Sequence, residues 1–193
     1  MKPTLVIDNY DSFTYNLVHC IRKQSEAPVD VYRNDQISLD EVKAYERIIL
    51  SPGPGLPDEA GITKSIVKKY GPTKRILGVC LGHQAIAEIY GCNLYNMDTV
   101  LHGIETPIYL TENPDYLFKD LPKQFNGGRY HSWMVDKQSL PPELKITSVD
   151  GTGEIMSISH ITHDVKGIQF HPESILTVYG ELMLYNWLQS DHE

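Results

Sequence analysis

The stretch that most constrains this chain is Gly78-Val79-Cys80-Leu81-Gly82-His83-Gln84. The residues leading into it, Ile76-Leu77-Gly78-Val79, are apolar and suit a buried strand. Those beyond it, Gln84-Ala85-Ile86-Ala87-Glu88-Ile89-Tyr90, favour a helix with apolar residues on one side. A cysteine between two glycines at such a junction has the form of a nucleophile elbow, in which the glycines permit a tight backbone turn. The turn predicts a Cys80 lifted clear of the sheet edge. Its sulfur then lies at a helix N-terminus, where partial positive charge favours the thiolate. A buried structural cysteine is the competing reading and the commoner fate of the residue. The paired glycines and the strand–helix junction favour the reactive one.

A chain of 193 residues is long enough for one buried sheet with helices on both faces, and the whole of 1–193 is read as a single domain. Acidic residues outnumber basic ones by 25 to 17, which argues against nucleic acid or an anionic membrane as the main partner. The cysteines, Cys20, Cys80 and Cys92, are odd in number and form no C-x-x-C pair. That points to a reducing compartment, with neither a disulfide frame nor a zinc knuckle. Met1-Lys2-Pro3 runs straight into an apolar strand, leaving no room for a secretory segment, and no later stretch is long enough to span a membrane. The expectation is a cytoplasmic protein.

The first half alternates strands and helices. Residues 4–8 form a short apolar strand, and Ser12 is placed to cap a helix running to about 23 with Phe13, Leu17, Cys20 and Ile21 on one face. A second strand covers 29–32. Ser38-Leu39-Asp40-Glu41 has the form of a capping box. Strand 47–50 and helix 62–70, closed by Gly71-Pro72, precede the elbow. This order predicts an α/β fold with a mostly parallel central sheet and right-handed crossovers. From Cys92 to about 161 the pattern changes to extended pieces at 107–111, 133–135, 145–149 and 154–158. Asn126-Gly127-Gly128 and Asp150-Gly151 read as turns between them. This predicts an antiparallel patch on one side of the sheet. A strand at 165–170 and an amphipathic helix from about 175 to 189 close the chain.

A cysteine nucleophile needs a base, an orienter for that base, and donors for an oxyanion. His171 in Phe170-His171-Pro172-Glu173 directly follows a predicted strand. In a parallel sheet, functional groups gather at the carboxyl ends of strands, where Cys80 also falls. Glu173 is placed to hold the imidazole tautomer that accepts the thiol proton. His83, though next to the nucleophile in sequence, is turned elsewhere by the elbow, and His19, His102, His160, His163 and His192 read as lone surface residues. Leu81 supplies one oxyanion N–H by elbow geometry, and the loop Ser51-Pro52-Gly53-Pro54-Gly55 after another strand offers a second.

Taken together, Ser51-Pro52-Gly53-Pro54-Gly55, Gly78 to Gln84 and Phe170-His171-Pro172-Glu173-Ser174 closely resemble the class I glutamine amidotransferases, over nearly the whole chain. Within that class, Asp8-Asn9-Tyr10-Asp11-Ser12-Phe13-Thr14-Tyr15-Asn16-Leu17 and Arg129-Tyr130-His131-Ser132 look like the glutaminase subunits of anthranilate synthase and aminodeoxychorismate synthase. The resemblance implies a flavodoxin-like fold and a triad of Cys80, His171 and Glu173. It implies that glutamine is held by Gly53, Pro54, Gly55, Leu81, Gln84, and the backbone at Ser132 and Trp133. It also implies L-glutamine as substrate, and as partner the large subunit of a chorismate-using synthase, with neither cofactor nor metal. Two positions depart from the family pattern: Trp133 stands where leucine is common, and Ile104 where lysine is.

Two other classes fit parts of the pattern. One is a stand-alone cysteine hydrolase of γ-glutamyl substrates on the same fold, against which the segment from Asp8 to Leu17 speaks. The other is a noncatalytic interaction module, against which the intact Cys80, His171 and Glu173 speak. His160-x-x-His163 suggests no third metal ligand.

Overall fold

The structure is a computed structural model that describes residues 3–190. The first half runs β1 (Thr4–Asp8), α1 (Thr14–Gln24), β2 (Val29–Arg33), α2 (Leu39–Val42), β3 (Arg47–Leu50), α3 (Thr63–Tyr70), β4 (Arg75–Val79) and α4 (Leu81–Ile89). The second runs β5 (Leu94–Asn96), β6 (Ile104–Leu110), β7 (Gln124–Arg129), β8 (Trp133–Val135), β9 (Leu144–Asp150), β10 (Ile155–His160), β11 (Val165–Ile168) and α5 (Gly180–Gln189). Nine strands form one sheet in the order β2-β1-β3-β4-β11-β10-β9-β6-β7. The first five are mutually parallel, and the last four continue the same sheet antiparallel. β5 and β8 pair separately. The expected α/β architecture and its antiparallel patch are both present, the patch as an extension of the main sheet. No helix among the described residues is long and apolar enough to cross a membrane.

The apolar runs of β1, β3 and β4 feed two cores at once, because successive side chains point to opposite faces. Leu5, Ile7, Ile48, Leu50 and Ile76 face one core with Ile66 and Val67 of α3 and Ile86 and Ala87 of α4. Val6, Ile49, Leu77 and Val79 face the other, with Leu17, Val18 and Ile21 of α1 and Met183, Leu184 and Trp187 of α5. Helices therefore cover both faces of the parallel half, and its carboxyl edge is left for loops.

Three local expectations are corrected. Ser12 does not cap α1. The helix starts at Thr14 without a side-chain cap. Its entry turn is held instead by Asp8, whose Oδ1 accepts from Tyr10 N and Thr14 Oγ1, and by Asp11, whose Oδ2 accepts from Phe13 N. The capping box at Ser38 and Glu41 does form.

Asn126-Gly127-Gly128 is not a turn but the middle of β7, which pairs with β6. The glycines serve close approach. A Cβ on Gly127 would lie 3.1 Å from Phe170 and from Ile108, and one on Gly128 would lie 3.0 Å from Ser174 and Leu176. Both uses put glycine pairs into a sequence, and composition alone does not separate them.

The last helix begins at Gly180, not near 175. Residues 174–179 form successive turns, with Ser174 N donating to His171 O, Thr177 N to Ser174 O and Gly180 N to Thr177 O. Ile175 and Val178, which fall within the expected span of the helix, are exposed. A Cβ on Gly180 would stand inside the contact radius of the Pro172 carbonyl oxygen. Gly180→Ala is therefore expected to lose about 3 kcal/mol of stability, the upper end of ordinary overpacking. Urea unfolding measures it, and a loss below about 1 kcal/mol would mean that the segment after His171 yields freely.

Candidate active site

β4 and β11 are neighbours in register, Val79 opposite Ile168, and the Cys80 N–H donates to the Ile168 carbonyl at 2.8 Å. Cys80 and His171 thus emerge from the carboxyl ends of adjacent parallel strands. At Cys80 the backbone takes φ 51°, ψ −101°, a region that L-residues rarely occupy, and α4 opens at Leu81 immediately after it. This is the sharp strand-to-helix turn expected from the glycine spacing. A Cβ on Gly78 would collide with the Gly82 backbone, and one on Gly82 with the Leu50 carbonyl of β3, so neither position accepts a side chain. The N–H groups of Leu81, Gly82 and His83 occupy the first turn of α4, where no intrahelical acceptor exists.

His171 is held from several directions. Its N–H donates to Gly128 O of β7 at 2.9 Å, and its carbonyl accepts from Thr177 Oγ1 at 2.6 Å. Thr177 Oγ1 also accepts from Gly128 N at 2.9 Å. The strand that reads as a turn in the sequence is what braces this loop. Nδ1 of the imidazole lies 2.6 Å from Oε1 of Glu173, whose side chain is wholly buried. Burial disfavours the imidazolium, but Cys80 and then Glu173 more than offset it, so the His171 pKa lies well above its ordinary value. Nε2 is buried and makes no hydrogen bond itself. Nucleophile–base contacts are commonly long before substrate arrives. Tyr130 and Phe13 pack their rings 4.8 and 5.9 Å from the imidazole, and the Tyr130 hydroxyl lies 3.1 Å from Ser174 Oγ.

Cys80 opens into a cavity of 210 Å³ that Gly53, Pro54, Gly55, Gln84, Ser132 and Trp133 also line. Seven of the ten sequence-predicted site residues therefore share one small enclosure. The other three, Leu81, His171 and Glu173, are not among its lining residues. The size suits a free amino acid better than the drug-sized ligands that fill about 300–1,000 Å³. A larger cleft of 940 Å³ is lined by residues such as Arg47 and Arg75, which begin β3 and β4, and contains none of these groups.

Asn9, at the end of β1, ties the Gly53–Gly55 loop to its surroundings. Its N–H and Nδ2 donate to Ser51 Oγ and Ser51 O, each at 2.9 Å, and its Oδ1 accepts from Asn34 Nδ2 and Thr63 Oγ1. The sequence reading placed Asn9 only within a motif, without this role. It also missed Val100, Leu101, His102, Tyr130 and His131 as cavity walls. His83 is fully buried against Gly167 of β11 and does not line the cavity, and burial pushes its pKa down to about 3. His160 and His163 stack at 4.1 Å, with Nδ1 of His160 taken by the N–H groups of Thr162 and His163. Ile104 is exposed at the start of β6.

The family model for glutamine amidotransferase class-I matches residues 5–190. The chain is 43% identical over 192 residues to anthranilate synthase component 2 of Pseudomonas aeruginosa, covering 96% of this chain and 94% of that one. It is 44% identical over 186 residues to aminodeoxychorismate synthase component 2 of Escherichia coli, covering 95% and 98%. It is 41% identical to the bifunctional protein TrpGD of Thermotoga maritima, of whose length it spans 32%. Among solved structures, a GMP synthase-type protein of Thermoplasma acidophilum superposes with a TM-score of 0.86 at 25% identity, over 97% of this chain and 92% of that one.

Proposed function

This chain belongs to the class I glutamine amidotransferases, and from that membership we propose that it is the glutaminase subunit of a chorismate-using synthase. In this reading residues 1–193 act as one domain in the cytoplasm. The subunit hydrolyses L-glutamine and passes ammonia to a large subunit that makes anthranilate or 4-amino-4-deoxychorismate. The names of the relatives support the pathway. The chemistry is carried by one observation: an imidazole of raised proton affinity, set between Cys80 and a buried carboxylate beside a cavity of amino-acid size.

The Cys80 thiolate attacks the side-chain amide carbon of glutamine. The developing oxyanion is received by backbone N–H groups of Leu81 and Gly55, each such donor worth about 3 kcal/mol in the transition state. His171, protonated by the thiol and oriented by Glu173, gives that proton to the departing nitrogen, and ammonia leaves a γ-glutamyl thioester. His171 then takes a proton from water, whose oxygen attacks the thioester carbonyl. The proton returns to sulfur as glutamate departs. Gln84 and the backbone at Ser132 and Trp133 hold the amino-acid end of the substrate, and Gly53 and Pro54 shape the loop around its amide. Ammonia that escaped into water would be protonated and lose its nucleophilicity, so the acceptor site must be reached by a shielded path. The segment from Asp8 to Leu17, which runs from the end of β1 into the first turn of α1 with Tyr10 and Tyr15 exposed, is the proposed face toward the large subunit.

Reconstitution tests this. The chain, a chorismate-using large subunit, glutamine and chorismate are combined, and the aminated product is identified by chromatography. Glutamine-driven product is expected, with the large subunit stimulating a weak intrinsic glutaminase. Turnover of γ-glutamyl peptides by the chain alone, without such stimulation, would establish a stand-alone hydrolase instead.

A further inference from the structure

One buried hydrogen-bond chain reaches the sulfur through residues other than His171 and Glu173. Gln169 follows β11 directly, is wholly buried, and its Nε2 lies 3.6 Å from Cys80 Sγ, within range of a bond to sulfur. Its Oε1 lies 3.2 Å from Nε2 of Gln84. A side-chain amide can be turned end for end, so its direction has to be argued from its partners.

That argument starts at Asp150. Arg129 carries only donors. Its Nη1 lies 2.8 Å from Asp150 Oδ2, and its Nε lies 3.1 Å from Nε2 of His131. Nε2 of His131 must therefore be the unprotonated nitrogen, and Nδ1 carries the proton. Nδ1 lies 3.1 Å from the carbonyl of Trp133, which can only accept. Burial first, and Arg129 next, push the His131 pKa down to about 3, which agrees with a neutral ring. The same Trp133 carbonyl lies 2.9 Å from Nε2 of Gln84, fixing the nitrogen of that amide toward it. The second N–H of Gln84 then meets Gln169 Oε1, and Gln169 is left with its NH₂ facing sulfur. Turning Gln169 alone sets donor against donor. Turning both amides sets the Gln84 oxygen against the Trp133 carbonyl. Arg129, His131, Gln84 and Gln169 are all nearly or wholly excluded from solvent.

We propose that Gln169 is a catalytic hydrogen-bond donor that stabilises the Cys80 thiolate, its NH₂ aimed at the sulfur by the buried series Asp150, Arg129, His131, the Trp133 carbonyl and Gln84. The proposal rests on the reading of Cys80 as nucleophile. A donor bonds an anion more strongly than a neutral thiol, so its presence shifts the sulfur toward the reactive form.

The test reads Cys80 directly, in the full chain without glutamine or a synthase. Alkylation by iodoacetamide is followed between pH 5 and 9 by peptide-resolved mass spectrometry, which separates Cys80 from Cys20 and Cys92. Gln169→Met keeps length and removes the polar atoms. The pH of half-maximal alkylation is expected to rise by about one unit, and the rate at pH 6.5 to fall about tenfold. In the reconstituted complex, kcat for glutamine is expected to fall with KM within about twofold, the pattern of an interaction made in the transition state. Superimposable alkylation profiles overturn the proposal. If Gln169→Met does not fold, NMR of the unaltered chain decides: the assigned Gln169 side-chain NH₂ resonances must move with the same midpoint as alkylation, and resonances that stay still overturn the proposal too. Failure of glutamine turnover in the parent chain, with the alkylation shift intact, would count against the amidotransferase reading and not against this one.

Discussion

Changing Cys80 to alanine is expected to cut glutamine-driven synthesis by the reconstituted complex at least about 10⁴-fold, while synthesis driven by added ammonia continues at the parental rate. Removing a covalent nucleophile leaves only binding and oxyanion donors to act on the substrate, and losses of this order follow in comparable triads. The change is equivalent to about 5.5 kcal/mol of barrier. The side chain is small and 5% exposed, and alanine keeps the unusual backbone angles at this position, so neither cavity nor refolding explains the loss. Ammonia bypasses the glutamine site entirely. Parallel assays with glutamine and with ammonium at raised pH separate the two routes. Glutamine-driven synthesis within tenfold of the parent would remove Cys80 from the mechanism; loss of both routes would place the defect in assembly.

The second large effect is on stability in mild acid. Burial pushes the His83 and His131 pKa values down to about 3, with Arg129 adding to the shift at His131, against roughly 6.5 in an unfolded chain. Between those values the unfolded chain binds two protons that the folded chain refuses, so stability falls as pH falls. From pH 6 to pH 5 the loss is about 2–3 kcal/mol for the pair, and His160, also lowered by burial, adds in the same direction. His171 has the opposite sign. Its raised folded pKa gives a contribution that is fully present below about 6.5 and disappears as pH rises through the folded value, so it cannot offset the acid limb. Urea unfolding at pH 6, 5.5 and 5 measures the slope, and replacing His83 with glutamine should reduce it by about half. A slope that His83→Gln leaves unchanged would mean that the buried ring is protonated in the folded chain.

Much of this arrangement is legible in the chain itself. The strands at 4–8, 47–50 and 75–79 are apolar on both faces because each feeds two cores, and such runs bounded by polar loops leave little ambiguity. The strand-to-helix turn at Cys80 is legible because glycine is required on both sides of the cysteine, at 78 by the Gly82 backbone and at 82 by the Leu50 carbonyl. Other features depend on partners that are remote in sequence. Gly127 and Gly128 are placed by Phe170 and Ser174, and a local reading sees only a turn. Residues 174–179 carry helical apolar spacing, yet Thr177 is captured by the His171 carbonyl and the Gly128 N–H, and the helix waits until Gly180. The direction of Gln169 is set by Gln84, 85 positions away, which is in turn set by Trp133, 49 positions further along the chain from Gln84. No window of neighbouring residues contains that information.

The positive φ at Cys80 has a consequence for how this protein would respond to selection. An L-residue held there costs the fold on the order of 1–3 kcal/mol, and glycine would recover much of that at once. A screen for heat resistance that ignored turnover would therefore favour Cys80→Gly, yielding sturdier descendants without the proposed nucleophile. Keeping sulfur at this bend requires a continuing demand for the chemistry, because thermodynamics alone would erase it.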